Sequence, residues 1–167
     1  MSKGKHVALL GILCAAAMIL TYIEVLIPIP LGIPGVKPGL ANIAVVFALY
    51  SLGKFDAIII NVVRIVVTGL LFGSLFSILF SLAGAVASFL VMALLKRLPV
   101  FSYTGVSIAG GITHNLAQLV VAIFVVGAAE IAFYIPVLLI SGTVTGLIIG
   151  LVAALLIKKV PLNRIKS

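Results

Sequence analysis

Apolar runs, separated by short basic or glycine-bearing connections, fill almost the whole of this chain and constrain its fold more than any motif does. The runs cover about residues 7–27, 40–52, 57–72, 75–95, 106–126 and 136–157. The longest exceed the roughly 20 residues that carry a helix across ~30 Å of hydrocarbon. Of the 167 residues, 64% are hydrophobic and 8% charged. A water-soluble domain carries about a quarter charged residues and could not cover so apolar a core. Lipid is the solvent that fits. The expected fold is an all-α integral membrane protein, a single six-helix bundle over residues 1–167, with no second domain.

The net charge of +8 does not point to nucleic acid. The basic residues stand at the ends of the runs, where topology requires them, and not on one soluble face. With the N-terminus inside, Lys3, Lys5, Lys54, Lys96, Arg97, Lys158, Lys159, Arg164 and Lys166 are all cytoplasmic. Lys37 alone is outside, and Arg64 lies within a span. This asymmetry places both termini in the cytoplasm. A five-span arrangement, with 40–52 re-entrant, would put Lys96, Arg97 and the basic C-terminal segment outside. Aromatic residues fit the same frame: Tyr22, Phe72, Phe133 and Tyr134 near the outer boundary, Tyr50, Phe55, Phe101 and Tyr103 near the inner one. The first run lacks the short core of a cleaved signal and reads as a retained span. The lone Cys14 cannot form an intrachain disulfide, and no Cys/His cluster has metal-ligand spacing.

The connection 28–39 holds four prolines and three glycines and cannot continue a helix. It is expected to be a structured extracellular loop. Small residues recur at helical spacing in three places. Gly142, Gly146, Gly150 and Ala154 form one stripe, and Ser77, Ser81 and Ala85 form another, with Gly69 and Gly73 in register before it. Both are expected to pack within the bundle. Gly11 and Ala15, in the first span, could instead face another protein.

Polar groups at membrane depth mark a cavity or a partner. Asn61, Arg64 and Thr68 share one face of the third span. His114, Asn115 and Gln118 lie at similar depth in the fifth. Glu24 is near the outer end of the first span, and Asn42 opens the second, just after the loop bearing Lys37. The set lies from mid-membrane outward, which implies a pocket open to the outside. Arg64, Lys37 and a protonated His114 would suit an anionic or strongly hydrogen-bonding small molecule. Against that stand two structural readings: Arg64 and Glu24 as an ion pair, and His114, Asn115 and Gln118 as helix glue.

The segment Gly35-Val-Lys-Pro-Gly-Leu-Ala-Asn-Ile43, with Arg64 and His114-Asn115-x-x-Gln118, resembles the Gx transporter family. That family is also labelled heptaprenyl diphosphate synthase component I, and it is similar to the S-components of energy-coupling-factor (ECF) transporters. The resemblance implies an S-component-like bundle in a bacterial cytoplasmic membrane that captures a small nutrient or cofactor precursor. It also implies a coupling transmembrane subunit, met through the small residues Gly11 and Ala15, and two ATPases. No cofactor is expected. The alternative is a non-catalytic membrane accessory protein in isoprenoid or quinone metabolism. Catalysis is not expected. The three acids, Glu24, Asp56 and Glu130, form no Asp-rich diphosphate motif, and Gly53-Lys54 lacks the rest of a phosphate loop.

Overall fold

A computed structural model describes residues 2–26 and 39–160. Lys37, most of the segment 28–39, and Arg164 and Lys166 lie outside these described residues. Six α-helices form: α1 (Lys3–Leu26), α2 (Asn42–Ser51), α3 (Lys54–Phe72), α4 (Leu75–Leu95), α5 (Tyr103–Val126) and α6 (Ile135–Lys159). Among the described residues there is no strand. Five segments are long and apolar enough to cross a membrane, the last being Ala129–Lys159. Their outer surfaces carry aliphatic and aromatic side chains such as Leu75, Leu90, Leu94, Phe124 and Ile140. In water that surface would drive association; in lipid it is the natural exterior.

The helix bounds depart from the sequence reading where polar residues continue a helix beyond the hydrocarbon. α1 starts at Lys3 instead of residue 7, α3 at Lys54 instead of 57, and α5 at Tyr103 instead of 106. Ser102 explains the last of these, because its hydroxyl accepts from the Gly105 N–H and caps the helix. α5 ends at Gly127, whose φ of 71° is the left-handed stop glycine adopts without strain. Between the runs that end near 126 and begin near 136, a short 3-10 helix, Ala129–Tyr134, leads into α6.

The largest difference is in α2, read from sequence as a span over 40–52. It has only ten residues and so rises about 15 Å, half the hydrocarbon thickness. Contacts fix its direction. His6 Nε2 lies 3.0 Å from Asp56 Oδ1, so α1 and α3 start at the same end of the bundle. The backbone N–H of Leu40 donates to Glu24 Oε1, so α2 starts toward the far end of α1. Gly39, just before it, faces Ile149 well inside α6. α2 therefore runs from mid-depth to the end where α3 begins. That end carries Lys3, Lys5, Lys54, Lys96, Arg97, Lys158 and Lys159.

α2 is apolar on every side, as a helix buried all round must be. Ala44, Val45, Val46, Phe47, Ala48 and Leu49 are all buried, and they form the core with Ala17, Ala57, Ile60, Val106 and Ala153. The ring of Tyr50 meets that of Tyr103 edge-on at 4.5 Å. The Lys96 ammonium donates to Leu49 O, closing the C-terminal end of α2 with a positive charge.

The stripe on α6 packs as expected. A Cβ on Gly142, Gly146 or Gly150 would come within 2.9, 2.7 or 2.7 Å of α5 backbone atoms, so only glycine allows this approach. The stripe on α4 packs in part: Ala85 is buried, Gly69 lies against Ile78, and Ser77 closes a capping box with Ser74 beside Gly73, while Ser77 and Ser81 also line a cavity.

Candidate functional site: a polar cavity above α2

Where α2 stops, the axis of the bundle is hollow. A cavity of about 690 Å³ extends from Gly39 and Asn42 at mid-depth to Phe72, Val126 and Tyr134 at the end opposite the basic residues. Its size is in the range of small-molecule sites.

Arg64 lies at the deep end. Its position follows from α3, whose Asn61, Arg64 and Thr68 fall on one face at three- and four-residue spacing and are all buried. The guanidinium donates from Nε and Nη2 to Asn61 Oδ1, at 3.2 and 2.8 Å. Nη2 also donates to Asn42 Oδ1 at 2.7 Å. Thr68 returns its hydroxyl to Arg64 O at 2.6 Å. Arg64 is thus held by neutral amide oxygens. Glu24, read as its potential ion-pair partner, acts electrostatically on Arg64 and also accepts from Leu40 N, which ties the start of α2 to α1. Among the described residues no hydrogen bond uses Arg64 Nη1. A guanidinium clamped on one edge keeps a fixed orientation, and Arg64 lines the cavity in that pose.

Gly39 makes the Asn42 contact possible. Its φ of 73° is a left-handed turn, and a Cβ there would sit 3.0 Å from Asn42 Nδ2. Asn42 is therefore delivered into the cavity by a turn that only glycine forms cheaply.

On the opposite wall, His114 of α5 lies across α4 at Gly84. A Cβ on Gly84 would be 2.8–2.9 Å from three ring atoms, so the missing side chain is the seat of the imidazole. Gln118 lines the same wall. Asn115 lines it too, but its Nδ2 donates to Leu138 O at 3.0 Å and so joins α5 to α6. For that residue the helix-glue reading applies.

The structure thus brings together Glu24, Asn42, Arg64, His114, Asn115 and Gln118 around one space, with Asn61 directly behind Arg64. Lys37 lies outside the described residues. Gly11 and Ala15 are elsewhere, on the exposed face of α1, and a Cβ on Gly11 would meet nothing within 4 Å. Sequence reasoning missed Gly84. The available signal was a glycine inside a long apolar helix, where it costs ~1 kcal/mol relative to alanine and so asks for a packing reason. Ser77 and Ser81 were visible but assigned to packing.

Long apolar helices around a polar hollow define a multi-pass membrane protein. The family model described as heptaprenyl diphosphate synthase component I matches residues 13–156, and the chain belongs to that family. Comparison with curated proteins and with solved structures gave no match.

Proposed function

We propose that this protein is the substrate-capture subunit of an ECF-type importer, resembling an S-component. On this reading it takes up a small nutrient or cofactor precursor at the outer face of a bacterial cytoplasmic membrane. The observation that carries the reading is a cavity floored by a clamped Arg64 and closed below by α2. The cavity extends toward the end that lacks the basic residues, which the Lys/Arg rule reads as the outside. The donors on Arg64 Nη1, with His114 and Gln118 opposite, favour an anionic or acceptor-rich guest.

The energy source lies in partners on this reading: a coupling transmembrane subunit and two ATPases. The exposed small-residue face of α1 at Gly11 and Ala15 supports a helix–helix contact with the first of these.

The family's description favours a second reading, an accessory role beside a prenyl diphosphate synthase. Catalysis by this chain itself is not proposed. Asp56 is tied to His6 at the basic end, Glu24 to Leu40, and Glu130 lies in the 3-10 helix, so the three acids do not share a site.

The test is paired. Native mass spectrometry of the gently purified protein should show a retained small molecule. Gly11→Leu or Ala15→Leu should abolish uptake in cells while preserving that retention. Uptake by the purified protein alone in liposomes would overturn the importer reading, and normal uptake in both variants would remove the α1 interface.

A further inference from the structure

A second, smaller hollow lies at the basic end, where the last turns of α2 and α4 meet the first residue of α3. It has a volume of about 230 Å³ and is lined by Leu49, Lys54, Ala93, Lys96 and Arg97. Three of these five residues are cationic and none is acidic. Asp56, the acid nearest in sequence, is engaged with His6 on the α1 side.

The three cations are not equivalent. Lys96 is fixed by the fold: its ammonium donates to Leu49 O and stands 4.9 Å over the Tyr50 ring. Lys54 begins α3, with Nζ 5.1 Å over the Phe55 ring. Arg97 is exposed in the turn after α4. Gly53, the residue before α3, has no side chain to cap the first amides of that helix, and Asp56 in the same first turn offsets part of its positive end. Topology requires only that basic residues lie on this side of the membrane. It does not require three of them to line one cavity, where their positive potentials add. Phe55, Leu98, Val100 and Phe101 are exposed at this level and supply an apolar surround.

We propose that this corner binds a phosphate group, presented by the headgroup of an anionic phospholipid. A basic pocket between helix ends, with apolar walls toward the acyl chains, is the arrangement that selects such headgroups. A free phosphate ion offers the same chemistry without the chains.

The full-length protein is placed in phosphatidylcholine nanodiscs containing a minority of phosphatidylglycerol, and the lipids it retains are counted by native mass spectrometry. The expected result is a preference for phosphatidylglycerol on the order of tenfold, weakening as salt is raised. Lys54→Gln with Arg97→Gln should remove the preference. Lys54→Arg with Arg97→Lys should keep it. Lys158→Gln with Lys159→Gln, the same charge loss outside the pocket, should leave it unchanged. Lys96 is left intact because it caps α2. In discs of phosphatidylcholine alone, thermal stabilisation by inorganic phosphate that disappears in the Lys54/Arg97 glutamine variant would assign the same site to a soluble phosphoryl group. Equal retention of the two lipids by the wild type, with no response to phosphate, would overturn the proposal. So would an unchanged preference in the Lys54/Arg97 glutamine variant, or an equal loss in the Lys158/Lys159 variant.

Discussion

Along its axis the bundle has two halves that share five long helices, yet one is solid and the other hollow. In the basic half α2 occupies the centre; its Val45 and Leu49, and Ala57, Ile60 and Val106 of the neighbouring helices, have almost no exposure. In the opposite half the centre is empty, and the inward positions of α3 and α5 are Arg64, Thr68, His114 and Gln118. The difference comes from a single length. A helix of ten residues fills about 15 Å, and every inward side chain beyond its first turn must face something other than α2. Polar groups are affordable there because the hollow can admit water or a guest; in the solid half they would be stranded.

Five substitutions, in three comparisons, would break or sharpen this contrast. The largest effect is expected from placing the same amide in each half. Val45→Asn buries an unpartnered polar group in the solid half and should cost about 2–4 kcal/mol. Leu119→Asn, on the cavity wall, should cost less than about 1 kcal/mol because water can reach the amide. Unfolding in detergent measures both, and equal losses would mean the hollow half is dry.

Next in size is Arg64→Ala, which should weaken retention of the co-purifying molecule by about thirtyfold or more, as removing a desolvated charged contact does. Arg64→Lys should recover only part of this, since an ammonium cannot take the fork between Asn42 and Asn61. Competition binding reads both. If Arg64 served the fold alone, the alanine variant would lose stability and keep its ligand.

The smallest effect is expected from Gly84→Ala. The new methyl must push the His114 ring off its seat, at a cost of roughly 0.5–1.5 kcal/mol for an off-rotamer side chain. Affinity should fall about fivefold with little change in thermal stability. An unchanged affinity would remove His114 from the site.

How much of this was legible in the sequence differs by feature. α4 was readable to its end residues, because Gly73-Ser74 and Lys96 bracket an uninterrupted apolar run. α1, α3 and α5 were read short, since the basic and polar residues of their first turns look like loop and are in fact helix. The shared face of Asn61, Arg64 and Thr68 follows from helical spacing alone. What spacing cannot give is the partner of each side chain. Glu24 and Asn42 both lie near Arg64 by depth, yet the clamp is Asn42, because the Gly39 turn and the Glu24–Leu40 bond set where α2 starts. Ser77 and Ser81 share the spacing of a packing stripe, yet both also line the cavity, and Ser77 is turned by its capping box with Ser74. Gly84 has meaning solely through a residue on another helix.

The glycine seam between α5 and α6 has a mechanical consequence. Where Gly142, Gly146 and Gly150 meet the α5 backbone, no layer of side chains lies between the two helices to compress, shear or change rotamer. Such a joint resists sliding, and the pair behaves as one stiff plate. Any movement that reshapes the hollow half should therefore fall on the other joints, where α1, α2 and α3 meet through side chains and where Glu24 accepts from Leu40 N at the start of α2.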